Sequence, residues 1–310
     1  MLDLVTIGRI SVDLYGQEIG KGLSDPQTFR KAVGGSPTNV AIGVARYGHK
    51  SAVVTGVGKD ELGKYAINEL KKFNVSTEFV SVVEGVTPIV VAGVKDPDNP
   101  EFVFYRQPQA PDVQIELTDK LKQAVDDAKI FWFTGSTLAA QPLASTVDSL
   151  LKSRENKEVI FDLDYRPSFW PNQDTASEKI SAALKYATVA IGNLQECAVA
   201  TKLAANLSAV DYAKALLKSG VRLAIVKGGP NGVLVADENS VTEIAGIRVT
   251  TRCGLGAGDA FGAAVVHGIL SGWSPNESVA FANAAGAYVA SQLMCSDAMP
   301  TEEQVRGLLN

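Results

Sequence analysis

The alternation of strand-like and helix-like segments is the sequence feature that most limits how this chain can fold. Short runs rich in β-branched residues recur along the chain, and amphipathic segments with a helical period lie between them. The strand patterns occur at 2–8, 51–57, 129–135, 158–164, 187–193 and 222–228. This alternation predicts a parallel sheet with helices on both faces, and right-handed crossovers make it a doubly wound, three-layer α/β/α sandwich.

Two segments interrupt the alternation. Residues 10–33 begin with several glycines and no helical period, and residues 86–108 contain two strand-like runs around the turn sequence DPDNP (96–100). We expect both segments to form a small β-sheet lid over one edge of the main sheet. The sequence contains no Pro-rich or Ser-rich linker, so we expect a single domain, residues 1–310, that carries this lid.

Composition and charge narrow the possible partners. The chain has 29 Lys and Arg against 34 Asp and Glu, a net charge of -5, which gives no general attraction to nucleic acid. The first residues enter a strand pattern without the basic region of a signal peptide, and the uncharged stretch 278–296 is polar enough to indicate a buried helix. Three widely spaced cysteines indicate free thiols. We therefore expect a cytoplasmic protein that binds neither nucleic acid nor membrane.

Several common active sites are disfavoured. With only His49 and His267, a histidine triad or a multi-histidine zinc site lacks side chains. Residues 58–65 have the Gly and Lys spacing of a P-loop, but Tyr65 stands where Ser or Thr should hold Mg²⁺. Only Gly8 is available for a dinucleotide-binding fingerprint after the first strand, which argues against nicotinamide chemistry.

A glycine-rich turn before an apolar helix pattern is the most informative segment. Gly256 and Gly258 permit a tight loop, and backbone N–H groups at a helix N-terminus bind anions without a basic side chain. Asp259 places a carboxylate in the first helical turn, beside the bound anion. This pairing suits phosphoryl transfer to a hydroxyl group, because the carboxylate can accept the hydroxyl proton. A capped helix after a glycine turn explains the same residues equally well.

A second glycine pair precedes another predicted helix. Ser36 suits an N-cap and Pro37 the first helical position, while Gly34 and Gly35 let a ligand approach the backbone closely. Asn39 offers a donor and an acceptor suited to sugar hydroxyls. A well-capped helix would explain Ser36 and Pro37 but not the two glycines.

These two segments resemble the signatures of the ribokinase-like (PfkB) carbohydrate kinases. GGSPTNVA (34–41) is similar to the N-terminal signature and GAGDAFGAA (256–264) to the C-terminal one. Further matches follow in order at 56–63, 193–196, 226–233 and 281–290, so the resemblance covers essentially the whole chain. It implies a Rossmann-like α/β/α domain with a β-lid and ATP-dependent phosphorylation of a sugar hydroxyl.

The resemblance also implies a role for individual residues. Asp259 would be the catalytic base, and the anion hole would be Gly256, Ala257 and Gly258. Glu196, together with Asn193, would support Mg²⁺ through water. The residues at the family's nucleotide-binding positions are Asn193, Lys227, Gly229, Gly232 and Asn283, and those at its sugar-binding positions are Asp13, Gly34, Gly35 and Asn39. A K⁺ site is left open, because many members carry Asp where Cys253 stands.

Finer similarities point to kinases that act on sugar acids. Segments 6–20, 34–43, 104–108, 162–170 and 283–301 together resemble 5-dehydro-2-deoxygluconokinases of inositol catabolism, and some of them also resemble 2-dehydro-3-deoxygluconate kinases. Arg106 and Arg166 could bind a carboxylate or a phosphate with two hydrogen bonds each. Arg166 could instead hold the transferring phosphate, and both could be salt-bridged surface arginines.

Other functions are left open by the sequence. The same fold could act on a neutral sugar, as fructokinases and ribokinases do, or bind a sugar or nucleotide without catalysis. Retention of Asp259 beside the glycine loop argues against a silent binding protein, since binding alone does not need a base. The open edges of a small lid sheet favour a homodimer formed through the lid.

Overall fold

The protein is described by a computed structural model that covers residues 1–106, 109–154 and 157–309. The strands of these residues are β1 (Leu4–Ile7), β2 (Ser11–Gly16), β3 (Phe29–Gly34), β4 (Ser51–Gly58), β5 (Val80–Val83), β6 (Ile89–Gly93), β7 (Glu101–Tyr105), β8 (Ile130–Thr134), β9 (Glu158–Asp162), β10 (Val189–Asn193), β11 (Leu223–Lys227), β12 (Val233–Ala236) and β13 (Val241–Ile244).

Ten α-helices lie in the described part of the chain. They are α1 (Ser36–Arg46), α2 (Glu61–Lys72), α3 (Asp119–Asp127), α4 (Leu143–Ser153), α5 (Gln173–Ala183), α6 (Leu194–Thr201), α7 (Ala209–Lys218), α8 (Ala257–Leu270), α9 (Pro275–Ala290) and α10 (Glu302–Leu309). The helix α6 follows β10 directly and is only eight residues long.

The central sheet has nine strands in the order β13-β12-β11-β10-β9-β8-β1-β4-β5. Neighbours from β11 to β5 pair in parallel, as the alternation of strands and helices predicts. One edge departs from the parallel pairing, because β12 pairs antiparallel with both β11 and β13. Only a short turn, residues 228–232, joins β11 to β12, and it is too short for the crossover that a parallel pair requires.

Two apolar layers cover the faces of this sheet. One face packs against α3 to α7, around buried residues such as Phe131, Phe133 and Phe161. The other face packs against α1, α2, α8, α9 and α10, around residues such as Trp132 and Ile225. The strands are buried on both faces, which is why they read as continuous apolar runs in the sequence. The three-layer α/β/α fold is therefore confirmed.

The lid predicted from the two interrupting segments is also present as a separate sheet. Four strands form it in the order β3-β2-β6-β7, with β2 and β6 pairing in parallel at its centre. Residues 107–108, which end the second predicted lid segment, lie outside the described residues. Tyr15 and Ala92 of the lid pack on Cys253, Met294 and Cys295 of the main body, so the lid sits over the region that leads into α8.

Within the described ranges, no helix is both long enough and apolar enough to cross a membrane. All three cysteines are buried free thiols, as their spacing predicts.

Candidate active site

A cavity of about 210 Å³ lies between the carboxyl ends of the central strands, the N-termini of α1 and α8, and the lid. Nine residues singled out in the sequence line it: Asp13, Gly35, Asn39, Arg166, Glu196, Lys227, Gly256, Gly258 and Asp259. Residues far apart in the chain thus meet at the edge of the sheet where parallel α/β folds bind their ligands.

Asp13 is held in place on the lid side of the cavity. Its carboxylate accepts hydrogen bonds from Ser11 Oγ at 2.6 Å and from Tyr15 Oη at 3.2 Å. A Cβ atom on Gly34 would lie 1.9 Å from Asp13 Oδ2, so glycine is the residue that leaves room for this carboxylate. Burial raises the pKa of Asp13.

Gly35 turns the chain from the lid into α1. Its φ of 105° lies in the left-handed region, and a Cβ atom there would be 2.2 Å from the carbonyl oxygen of Arg9. Gly35 is the N-cap of α1 and no side chain caps the helix, so the assignment of the N-cap to Ser36 is wrong by one residue. The positive φ lets the helix begin directly after Gly35, which places Ser36 at the first helical position and Pro37 at the second.

Asp259 lies in the first turn of α8 and contacts α1. Gly256, with φ of 81°, is the N-cap, so the N–H groups of the following turn face the cavity end of the helix. Asn39 Nδ2 donates to Asp259 Oδ2 at 2.7 Å. Burial raises the pKa of Asp259, and the hydrogen bond from Asn39 opposes part of this rise.

Lys227 stands beside the same helix terminus. Its Nζ atom is 3.9 Å from Asp162 Oδ1 and would be 3.5 Å from a Cβ atom on Gly258. Burial raises the pKa of Asp162 to about 7, although Lys227 opposes the rise. Burial alone would lower the pKa of Lys227, but the neighbouring carboxylates of Asp162 and Glu196 outweigh it and the pKa is raised. Lys227 therefore stays a cation next to the anion-binding end of α8.

Glu196 and Asn193 form a capping box at the start of α6. The Asn193 N–H donates to Glu196 Oε2 at 2.7 Å, and the Glu196 N–H donates to Asn193 Oδ1 at 2.9 Å. The Glu196 side chain is buried against the cavity. No group of three or more His, Cys, Asp or Glu side chains among residues 1–106, 109–154 and 157–309 could hold a metal ion alone. The single buried carboxylate of Glu196 suits Mg²⁺, because this ion keeps several waters and binds through one or two carboxylates and substrate phosphates.

The two arginines singled out in the sequence have different surroundings. Arg166 lines the cavity, and its Nε donates to Asp164 Oδ1 at 2.7 Å. The guanidinium of Arg166 lowers the pKa of Asp164 against the opposing effect of burial. Arg106 is outside the cavity lining, where its Nη2 donates to the buried Asp112 at 2.8 Å and its guanidinium lies 5.0 Å from the centre of the Phe169 ring.

Besides Arg106, six predicted site residues do not line the cavity: Gly34, Asn193, Ala257, Gly229, Gly232 and Asn283. Gly229 and Gly232, both with positive φ, form the turn after β11. Asn283 on α9 donates through Nδ2 to the carbonyl oxygen of Ala245 at 2.7 Å. Gly34 and Ala257 adjoin the lining residues in the chain. Cys253 is buried among apolar side chains of the lid contact, with Met294 and Cys295 nearby.

Sequence reasoning missed several residues that line the cavity. Arg9 follows β1, Asp162 ends β9 and Asp164 lies two residues beyond it, so all three come from carboxyl ends of parallel strands. Their position after predicted strands was the sequence feature that could have identified them. Tyr15 and Cys295 carried no signal, because their contact, Tyr15 Oη to Cys295 Sγ at 2.8 Å, joins residues 280 apart in the chain.

Comparison with known proteins agrees with this geometry. The family model described as "pfkB family carbohydrate kinase" matches residues 1–302. The 5-dehydro-2-deoxygluconokinase of Clostridium beijerinckii is 30% identical over 99% of this chain and 93% of its own length. This chain belongs to the PfkB family of carbohydrate kinases and is a carbohydrate kinase.

Solved structures support the same assignment. An uncharacterized sugar kinase from Pyrococcus horikoshii in complex with ATP is 27% identical, with a TM-score of 0.80 over 98% of this chain and 99% of that chain. A fructokinase double mutant from Vibrio cholerae, in a form with fructose, ADP and potassium ion bound, has a TM-score of 0.83 over 100% of this chain and 99% of that chain. At 23% identity, the second likeness concerns the fold alone.

Proposed function

We propose that this kinase transfers the γ-phosphate of ATP to the terminal hydroxyl of a sugar acid, with 5-dehydro-2-deoxy-D-gluconate as the preferred substrate. The two arginines that line the cavity, Arg9 and Arg166, carry the proposal, since one can face the phosphoryl group and the other a substrate carboxylate. Arg166 reaches a cavity that also holds Asp259, and among the described residues only its Nε atom makes a side-chain hydrogen bond, to Asp164. A neutral ketose needs no such cation, whereas a carboxylate is bound well by one. The kinase of Clostridium beijerinckii, 30% identical, carries the name of the same activity.

In the proposed reaction, Asp259 accepts the proton of the sugar hydroxyl. The hydroxyl oxygen then forms a bond to the γ-phosphorus, and the bond to the oxygen that bridges to the β-phosphate breaks, so that ADP leaves. The N–H groups of Gly256, Ala257 and Gly258 and the ammonium of Lys227 stabilise the negative charge of the transferring phosphoryl group. Mg²⁺, when bound near Glu196 through water, neutralises phosphate charge.

The remaining residues hold the two substrates. Asp13 and Asn39, with the space left by Gly34 and Gly35, bind the sugar on the lid side of the cavity. Nucleotide contacts come from Asn193, Lys227, Gly229, Gly232 and Asn283. Arg106 was a candidate for the substrate acid, and its pairing with Asp112 outside the cavity weighs against that role. A K⁺ requirement is left open, because Cys253 stands among apolar side chains at the position where many family members carry Asp.

We further propose that the chain acts as one domain in the cytoplasm, in inositol catabolism, and pairs through its lid. Apolar side chains are exposed on the outer strands of the lid, where a second copy could cover them: Phe29, Phe102, Val103 and Tyr105. Light scattering of the purified protein tests the pairing, since a monomer at micromolar concentration contradicts it.

The substrate is tested by coupled measurement of ADP release with a panel of sugars. We expect the highest kcat/KM for 5-dehydro-2-deoxygluconate, and lower values for 2-dehydro-3-deoxygluconate, fructose and ribose. The alternatives are therefore a 2-dehydro-3-deoxygluconate kinase and a kinase of neutral sugars. If fructose or ribose exceeds every sugar acid, the proposed substrate class is wrong.

A further inference from the structure

Arg9 is a cation of the cavity that none of the sequence motifs singled out. It lies two residues after the end of β1, and its side chain lines the same cavity as Asp13 and Asp259. Its guanidinium lies 5.1 Å from the centre of the Phe104 ring and 6.0 Å from that of Phe169. Phe104 belongs to β7, so the lid itself supplies the aromatic surface on which this cation rests.

The other basic groups of the cavity already have a carboxylate partner. Arg166 is paired with Asp164 at 2.7 Å, and Lys227 has Asp162 within 3.9 Å. Among the residues that the structure describes, no carboxylate forms an ion pair with Arg9, and its side chain makes no hydrogen bond. Within the described part of the chain, Arg9 thus offers the cavity a guanidinium that has no hydrogen-bond partner.

The two arginines share one electrostatic neighbour and differ in the others. Both lower the pKa of Asp164 against the effect of burial. Burial raises the pKa of Asp13, and Arg9 is among the groups that oppose this rise. The pKa of Arg166 is raised chiefly by Asp164, and also by Glu196 and Asp259. Arg9 therefore acts on the sugar-binding carboxylate of the lid as well as on Asp164, whereas Arg166 also lies near Glu196 and Asp259, the groups assigned to phosphoryl transfer.

We propose that Arg9 binds the carboxylate of the sugar acid and so determines specificity for acids over neutral sugars, while Arg166 faces the transferring phosphoryl group. This inference rests on the proposed function, because it presupposes a sugar-acid substrate. With the terminal hydroxyl at Asp259, we place the carboxylate of an extended six-carbon acid on the lid side of the cavity, beside Phe104 and Arg9. The contact with the Phe104 ring restrains the guanidinium, which suits a contact through two hydrogen bonds.

The test compares one acid with its own neutral form. Steady-state kinetics are measured with 5-dehydro-2-deoxygluconate and with the corresponding carboxamide, for the wild type and for Arg9→Met. We expect Arg9→Met to lower kcat/KM about 10- to 150-fold for the acid and less than about threefold for the amide, because only the acid makes a charge-assisted contact. Arg9→Lys keeps the charge but not the fork of donors, so an intermediate loss for the acid is expected.

Two further variants separate the roles. Arg166→Met should lower kcat for acid and amide alike, and Arg222→Met, an exposed arginine paired with Glu158, should leave both substrates unchanged. Thermal unfolding and the KM for ATP show whether Arg9→Met is folded. An equal loss for acid and amide in folded Arg9→Met overturns the assignment of Arg9 alone. A wild type that prefers neutral sugars overturns the sugar-acid proposal together with this inference.

Discussion

The substitution Gly34→Ala tests how the lid holds Asp13. The added Cβ atom would lie 1.9 Å from Asp13 Oδ2 and 2.5 Å from Oδ1, whereas real Cβ contacts are at least 3.0 Å. The carboxylate must therefore move by about 1.1 Å, which breaks its hydrogen bonds from Ser11 and Tyr15. The φ of Gly34 is not in the left-handed region, so the backbone itself tolerates alanine.

The magnitude follows from the contact that is lost. A hydrogen bond to a charged group contributes about 1.5–3 kcal/mol, so kcat/KM for the sugar should fall about 10- to 150-fold. The KM for ATP should stay the same, because Asp13 is on the lid side of the cavity. The assay is ADP release at saturating ATP with varied sugar. Gly307→Ala is the matched control, since a Cβ atom there meets nothing within 4 Å. A Gly34→Ala enzyme with the wild-type KM for sugar would refute the placement of the sugar at Asp13.

Two other predictions concern the groups around the reaction centre. Only ionised Asp259 can accept a proton, so activity falls as the pH drops through the pKa of Asp259. The hydrogen bond from Asn39 lowers this pKa, and Asn39→Ala removes it. The acidic limb of the plot of kcat against pH, measured at saturating sugar, should therefore move to higher pH. An unmoved or lowered limb contradicts Asp259 as the titrating base. Glu196→Gln keeps an acceptor for the capping box but removes the charge, so the Mg²⁺ concentration for half-maximal activity should rise about tenfold with an unchanged Tm. If Glu196→Gln and the wild type need the same Mg²⁺ concentration, Glu196 does not support the metal.

The parts of the fold that could be predicted are those with a regular period. The strands β1, β4 and β8 to β11 are buried on both faces, so continuous apolar runs mark them. By contrast, β5 and β13 are short, largely exposed edge strands without such a pattern. The antiparallel edge at β12 depends on the length of the turn between β11 and β12. The pattern of polar and apolar residues does not encode that length.

The site divides in a similar way. Asp259 and Asn39 lie in the two glycine-containing segments that resemble the family signatures, and the structure brings the two side chains to 2.7 Å. Arg9 had only its place after β1 as a signal and Tyr15 had none, because their importance depends on contacts with residues distant in the chain. The partner of Arg106 had no sequence signal either: Asp112 lies six residues away in a short 3₁₀ helix and is buried.

The most direct test of the account is to compare turnover and binding in Asp259→Asn. We expect ADP release with the preferred sugar to fall by about 10²- to 10⁴-fold, because the general base is lost while the amide keeps the shape of the carboxylate. Calorimetry should show that ATP and the sugar still bind with nearly wild-type affinity, since neither is held mainly by Asp259. A folded Asp259→Asn enzyme that retains nearly the full kcat would contradict the assignment of Asp259 as the base that accepts the hydroxyl proton.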